Sequence, residues 1–99
     1  MKIEERVYKK LLQVPIGYII TYQELANAVG LQNRQRMIGR IMKNNPFPVI
    51  VPCHRVVKSN GNVGGYAFGE KIKKNMLQNE GIEIHGNKII NFEKRKFRF

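Results

Sequence analysis

The sequence predicts a mainly α-helical fold, a small bundle with a winged helix-turn-helix and a short β-hairpin wing. Four stretches carry helix-start signals or apolar residues at helical spacing, and Pro and Gly residues separate them. An Asn-Gly pair at 60–61 lies between two short β-branched stretches, which is a strong hairpin signal. A chain of 99 residues with 42% hydrophobic residues can bury one core, so we expect a single domain over residues 1–99.

The first predicted helix covers residues 3–14, where five apolar side chains lie close to one face: Ile3, Val7, Tyr8, Leu11 and Leu12. Pro15 and Gly17 end it, and "YII" follows as a short extended link.

The next two helices form the predicted helix-turn-helix. Thr21 and Glu24 have capping-box spacing, and Gly30 is suited to end the helix that they begin. Asn33 is expected to cap a second helix over residues 34–45. Its predicted buried face comprises Met37, Ile38, Ile41 and Met42. Its basic face comprises Arg34, Arg36, Arg40 and Lys43. A basic second helix after a tight turn is typical of DNA-binding domains, although helical hairpins are also common in small bundles.

The segment "PFPVIVP" is predicted to be extended and stiff, because three prolines exclude a helix. Phe47, Val49, Ile50 and Val51 are expected to bury it, which places Cys53 at the end of a rigid segment. A hairpin at Asn60-Gly61 should follow.

Residues 69–79 are predicted to form the last long helix, with Ile72, Met76 and Leu77 inward. A second short hairpin is expected around Gly86, and residues 94–99 are expected to be frayed or to face DNA.

The charge balance favours a polyanionic partner. Eighteen Lys and Arg residues against seven acidic residues give a net charge of +11, for which nucleic acid is the first explanation and an anionic membrane the second. The sequence contains neither a membrane span nor an apolar signal-peptide core, so we expect a cytoplasmic protein near the genome, or a nuclear one in a eukaryote. One Cys, two His and no Asp predict neither a metal site nor a cofactor.

Cys53 is the only cysteine, and His54 follows it directly. A lone cysteine is usually a small buried apolar residue, but a neighbouring histidine can hold the thiol as the reactive thiolate. A histidine that acts as a base needs an orienting partner, and spacing leaves Glu70, Glu80 and Glu83 open. Arg55 either supports the thiolate or anchors the core.

A buried nucleophile reaches a base in DNA only if that base is flipped out of the stack. Arg34 and Arg36, early in the second predicted helix, are candidates to fill the gap.

The motifs "TYQELA", "RMIGRIMKNNP", "NPFPVIVPCHRVV" and "GNVGGYAFGEKIKKNMLQNEG" closely resemble the O6-alkylguanine-DNA alkyltransferases, from about residue 3 to about residue 86. The resemblance covers that family's catalytic C-terminal domain and implies irreversible, single-turnover alkyl transfer from O6-alkylguanine, mainly O6-methylguanine, to Cys53. It implies that His54 takes the thiol proton through a water and that Glu80 orients His54. It further implies a monomer that binds double-stranded DNA through the backbone of the minor groove.

The resemblance also implies roles for other residues. Tyr22 donates toward the guanine, and Arg36 intercalates where the base was. Gln23 and Ser59 contact the DNA backbone, where Arg34, Arg40 and Lys43 supply charge. The base pocket and hinge are expected to comprise Asn45, Tyr66, Met42 and Val56.

Two departures from the family pattern stand out. The N-terminal domain that usually precedes this one is expected to be absent, and Phe68 stands where many relatives have a small residue at the pocket rim, which is expected to restrict large adducts. The alternatives are a non-catalytic relative that binds O6-alkylguanine and recruits repair factors, a helix-turn-helix regulator, and a cysteine protease. The presence of Cys53 disfavours a non-catalytic relative. A plain regulator would leave "PCHRV" unexplained, and the positive charge disfavours a protease.

Overall fold

A computed structural model describes residues 2–99. The helices are α1 (Ile3–Leu11), α2 (Tyr22–Ala28), α3 (Gln35–Lys43), α4 (Glu70–Asn79) and α5 (Phe92–Arg95). The strands are β1 (Ile20–Thr21), β2 (Val56–Val57), β3 (Ile84–His85) and β4 (Lys88–Ile89). The predicted mainly α-helical class is therefore confirmed. Within residues 2–99, no helix is long and apolar enough to cross a membrane.

Helices α1, α2 and α3 pack around one apolar cluster, and α2 and α3 form the predicted helix-turn-helix. The capping box is present: the Glu24 N–H donates to Thr21 Oγ1 at 3.0 Å, and the Glu24 carboxylate accepts from the Thr21 N–H at 3.4 Å. Gly30, with φ at +80°, follows the end of α2 as predicted.

The start of α3 differs from the prediction. Asn33 does not cap the helix, because it takes up the left-handed conformation with φ at +64°, which asparagine tolerates in turns. Arg34 occupies the N-cap position instead, with no capping hydrogen bond from its side chain. Ile38, Ile41 and Met42 are buried as predicted.

The segment 46–52 turns instead of running extended, so the prediction that it is a buried strand is wrong. The Val51 N–H donates to the Phe47 carbonyl at 2.9 Å, and Val49 has φ at +75°. This turn directs apolar side chains outward: Phe47, Val49 and Ile50 are 59–73% exposed, and only Val51 is buried.

Strand β1 pairs in parallel with β2, with Ile20 opposite Val56 and Thr21 opposite Val57. The pair joins the start of α2 to the chain just after Cys53. The predicted Asn60-Gly61 turn closes through the Lys58 N–H and the Asn62 carbonyl at 3.0 Å. Its arms do not form a two-stranded hairpin, however: β2 pairs with β1, and residues 61–63 bond to residues 87–89.

The second predicted hairpin is confirmed, since β3 and β4 pair antiparallel around Gly86. Of the two alternatives predicted for residues 94–99, fraying is wrong. The Ile19 N–H donates to the Arg95 carbonyl and the Phe97 N–H donates to the Ile19 carbonyl, both at 2.8 Å, and Phe97 packs against the core. A backbone pairing and an aromatic anchor therefore dock this segment on β1.

Candidate active site

Cys53 begins a single 3-10 turn, Cys53–Arg55, which the Arg55 N–H closes by donating to the Pro52 carbonyl at 2.9 Å. The Cys53 side chain is buried, with 6% exposure, and it lines a cavity. The sequence predicted an extended approach to Cys53, and the tight turn replaces it. Three chemically active residue types therefore follow one another in a fixed turn.

The carboxylate of Glu80 ties this turn to the end of α4. Its Oε2 lies 2.8 Å from His54 Nε2, while Arg55 donates to both carboxylate oxygens at 2.8–2.9 Å. Arg55 also donates to the Val14 carbonyl at 2.9 Å. Of the three glutamates that spacing left open, only Glu80 contacts His54.

Glu83 pairs with His85 and Glu70 with Lys74, so the other two glutamates have partners elsewhere. Because both oxygens of Glu80 accept from Arg55, the carboxylate is held in one orientation. Arg55 is thus an anchor of the site and of the core at once.

Charge and burial fix the protonation states of this network. Burial alone would raise the pKa of Glu80, but hydrogen bonds from Arg55 and His54 outweigh it and hold the pKa below its ordinary value. Burial lowers the pKa of His54, and this effect exceeds the opposite one of Glu80. A neutral His54 must then donate its Nε2–H to the carboxylate, which leaves the lone pair on Nδ1. That Nδ1 is buried and has no partner within residues 2–99, so it is the atom that can take a proton.

A cavity of about 490 Å³ lies in front of Cys53. Six other residues singled out from the sequence line it with Cys53: Tyr22, Arg36, Arg40, Met42, Lys43 and Tyr66. Arg36, Arg40 and Lys43 stand on one face of α3, at helical spacing. The cavity is therefore an apolar-floored cleft with a cationic edge.

Arg34, Val56 and Phe68 are among the predicted residues that do not line this cavity. Arg34 is exposed at the N-cap of α3, and Val56 is wholly buried in the core behind the Cys53 turn. Phe68 is 55% exposed and packs edge-on against Tyr66, with ring centroids 5.5 Å apart. Phe68 therefore packs on Tyr66, a residue of the cavity wall, and is not itself part of the lining.

A second depression of about 350 Å³ adjoins the first, since Tyr22, Arg36 and Gly39 line both. Ser59 and Lys58 form its other side. The Ser59 hydroxyl donates to Gln23 Oε1 at 3.3 Å, which joins the 58–62 turn to the first turn of α2.

Asn45 closes the segment between α3 and Cys53. Its Nδ2 donates to the Val51 carbonyl and its Oδ1 accepts from the Phe47 N–H, each at 2.9 Å. The spacing between the basic helix and the cysteine is thereby fixed from both ends.

Lys73 is the functional residue that the sequence analysis missed. It is fully buried and donates to the carbonyls of Val56 at 2.6 Å and Gly65 at 3.0 Å, and its Nζ lies 5.9 Å from the centroid of the Tyr22 ring. Burial lowers the pKa of Lys73 to about 8. It takes the inward position that was predicted for Ile72, which is 47% exposed. The available signal was its position four residues before the core residue Leu77.

No group of three His, Cys, Asp or Glu residues within the described part of the chain could hold a metal ion. Fold and site together define a small helical domain in which a buried cysteine, adjacent to a His–Glu–Arg network, faces a basic cleft beside a helix-turn-helix. A family model described as the 6-O-methylguanine DNA methyltransferase, DNA binding domain, matches residues 2–82, and the chain belongs to that family.

Individual relatives agree with this assignment. A methylated-DNA–protein-cysteine methyltransferase of Scheffersomyces stipitis is 40% identical over 90 residues, which are 90% of this chain and 46% of that protein. The chain thus spans about half the length of the curated relatives it matches.

Two solved structures are similar to the whole domain. Mycobacterium tuberculosis OGT in complex with DNA matches with a TM-score of 0.79 and 36% identity over 82% of this chain and 49% of that one. S. pombe Atl1, in complex with damaged DNA containing O6-carboxymethylguanine, matches with a TM-score of 0.86 and 30% identity over 99% of each chain.

Proposed function

We propose that the protein binds O6-alkylguanine in duplex DNA and transfers the alkyl group to Sγ of Cys53. The observation that supports this most directly is that Cys53, Tyr22 and Arg36 line one cavity, with the His54–Glu80–Arg55 network attached to the same turn. Its volume of about 490 Å³ lies in the range typical of small-molecule sites, roughly 300–1,000 Å³.

The proposed step is a displacement at the alkyl carbon. A bond forms between Cys53 Sγ and that carbon, while the bond from carbon to guanine O6 breaks and its electron pair stays on the guanine. The thiol proton passes to Nδ1 of His54, and the Glu80 carboxylate stabilises the resulting cation. The products are an S-alkylcysteine and an ordinary guanine, so each molecule reacts once.

Tyr22 is the proposed proton donor to the departing guanine. Burial, and then the proximity of Cys53, raise the pKa of Tyr22, so its phenol is protonated at neutral pH. A proton lost from Tyr22 is restored from His54 through solvent, which balances the step.

The basic helix is the proposed DNA-contacting element. Arg36, Arg40 and Lys43 border the cavity, and Ser59, which donates to Gln23, borders the adjoining depression. Arg36 fills the gap left by the flipped base, and the remaining groups bind phosphates along the minor groove. The likeness to M. tuberculosis OGT solved with DNA supports this arrangement.

A second candidate function is recognition of the damaged base without transfer. The observation in its favour is the similarity to S. pombe Atl1 over 99% of both chains, since that protein was solved with DNA containing O6-carboxymethylguanine. Both functions use the same cavity and differ in whether Cys53 reacts.

The test is incubation with a duplex that carries one O6-methylguanine, followed by tryptic digestion. We expect one added methyl on peptide 44–55, which contains Cys53, at one equivalent of duplex. Cys53→Ser should bind the duplex with unchanged affinity and take up no methyl. Tight binding by the unaltered protein with no methyl on this peptide would rule out transfer to Cys53. Recognition of the damaged base would then be the function that remains.

A further inference from the structure

Residues 84–97 lie beyond the matched region 2–82 and contact two parts of the candidate site. They comprise the β3–β4 hairpin, α5 and the segment that pairs with Ile19, and are called the brace below. The brace reaches the start of α2 on one side and the 58–63 turn on the other.

The first contact fixes the chain that leads into Tyr22. Both backbone groups of Ile19 bond to the brace, to the Arg95 carbonyl and the Phe97 N–H, at 2.8 Å each. Only β1 separates Ile19 from Tyr22, and β1 is bonded on its other side to β2. The residue that lines the cavity beside Cys53 thus follows a segment held from two directions.

A half-buried ion pair between Lys96 and Glu24 adds to this contact. Lys96 Nζ lies 3.4 Å from Glu24 Oε2 and 3.4 Å from Glu93 Oε2, and Lys96 is only 17% exposed. Glu24 is the capping-box residue of α2, so the brace reaches the cap that begins the helix carrying Tyr22 and Gln23. The Arg95 guanidinium also donates to the Gly17 carbonyl at 3.3 Å.

The second contact supports the turn that carries Ser59. The Ile89 N–H donates to the Gly61 carbonyl and the Val63 N–H to the Asn87 carbonyl, both at 2.9 Å. The Phe92 ring covers Gly61, where an added Cβ would lie 3.6 Å from the ring. Lys88 Nζ donates to the Asn60 carbonyl at 3.1 Å.

From these contacts we infer that the brace is a positioning element of the active site: it sets Tyr22 and Ser59 relative to Cys53, with Lys96 as its main polar link. Only the expected effect on the rate of methyl transfer rests on the proposed function. Within the matched region the two walls that carry Tyr22 and Ser59 are joined by the short β1–β2 pairing and the Ser59–Gln23 contact at 3.3 Å, and the brace adds hydrogen bonds to both. Small displacements of catalytic groups have large effects on rate.

The experiment uses full-length protein labelled with 3-fluorotyrosine and two matched pairs of variants. Phe97→Pro removes the N–H that bonds to Ile19, whereas Arg98→Pro changes an exposed residue next to it. Lys96→Met removes the charge that faces Glu24, and Lys96→Arg keeps it.

In Phe97→Pro and Lys96→Met the ¹⁹F resonance of Tyr22 should shift or broaden, while that of Tyr66 stays in place. The rate of methyl transfer at saturating duplex should fall by about tenfold, with affinity changed less than twofold. Arg98→Pro and Lys96→Arg should retain the parent values.

An unchanged Tyr22 resonance in folded Phe97→Pro and Lys96→Met would overturn the inference. If Phe97→Pro fails to fold, the Tyr22 resonance in Lys96→Met, compared with that in Lys96→Arg, decides whether the brace positions Tyr22. If the parent transfers no methyl, the proposed function fails, but the Tyr22 resonance still decides whether the brace positions this residue.

Discussion

Two buried cations, Arg55 and Lys73, hold the groups around Cys53 in place. Arg55 fixes Glu80 through both carboxylate oxygens, and Lys73 joins the backbone after the Cys53 turn to the cavity loop at Gly65. Arg55 is always charged, whereas a buried lysine can lose its proton. The two cations should therefore respond differently to pH.

Lys73 should make the protein more stable as the pH rises from 7 to 9.5. The pKa is about 8 in the folded state and near 10.5 when unfolded, so between these values the unfolded chain binds more protons. The free energy of unfolding should increase by about 2 kcal/mol over this window relative to Lys73→Met. Parallel urea titrations of both proteins would measure the difference, and identical pH slopes would contradict it.

Arg36 and Arg34 offer a second test at this scale, because both are exposed at the start of α3 but only Arg36 lines the cavity. Arg36→Ala should slow methyl transfer from duplex DNA about tenfold or more and affect a single-stranded substrate less, since no stacked gap then needs filling. Arg34→Ala should weaken binding to both substrates alike. Equal losses on both substrates for Arg36→Ala would exclude intercalation.

Residue patterns predicted this site unevenly. Thr21 and Glu24 form their capping box because its hydrogen bonds lie within four residues, and Cys53 and His54 stand out by their adjacency. The partner of His54 could be chosen only by resemblance, and Lys73 was missed, because their contacts span 26 and 17 positions of the chain. Tertiary packing determines such contacts, so they cannot be predicted from a local sequence pattern.

Helix α3 carries the cationic edge of the cleft, and its middle is a glycine. Gly39 lines both depressions, and an added Cβ would meet no atom within 4 Å. A glycine in a helix interior lowers helix stability, so its place on the open face points to a close approach by the bound DNA backbone.

Gly39→Ala should accordingly separate stability from binding. We expect the free energy of unfolding to rise by about 0.5–1 kcal/mol and the affinity for duplex DNA to fall severalfold. Thermal melts and fluorescence anisotropy would measure the two quantities. Asn75→Ala, at an exposed position of α4 that lines neither depression, also raises helix propensity and serves as the control. Unchanged or tighter binding by Gly39→Ala would refute the close approach.

Among the elements, helices were predicted better than loops. The apolar spacing of α1 and α4 and the cap of α2 are local, and these helices lie where expected. The segment 46–52 was mispredicted because prolines exclude a helix without choosing between an extended chain and a turn. Hydrogen bonds from Asn45 stabilise the turn, in which the side chains of Phe47 and Ile50 are exposed to solvent.

On the whole molecule, a net charge of +11 is spread over a body with a radius of gyration of 12.2 Å. Like charges at this density repel one another, and a bound polyanion relieves that repulsion. The charge was predictable from composition, but its grouping along α3 and the 58–59 turn depends on the fold.

The affinity for undamaged duplex should therefore depend steeply on salt. If Arg34, Arg40, Lys43 and Lys58 each contact one phosphate, the slope of log K against log salt concentration should be about −3.6, from −0.9 per contact. Anisotropy titrations between low and moderate salt would give the slope. A value shallower than about −1 would contradict binding through the phosphates, and Lys43→Gln should reduce the slope by about one.

The pairing of Ile19 with residues 95–97 also has a consequence for the order of events during synthesis. Ile19 leaves the ribosome early, and Cys53 follows, but the strand that fixes the chain before Tyr22 is translated after both. Contacts between distant parts of a chain form late in folding. A nascent chain that ends before residue 95 would carry the thiol without a fixed Tyr22. We therefore expect Cys53 to become competent for the proposed transfer only after its brace has been translated.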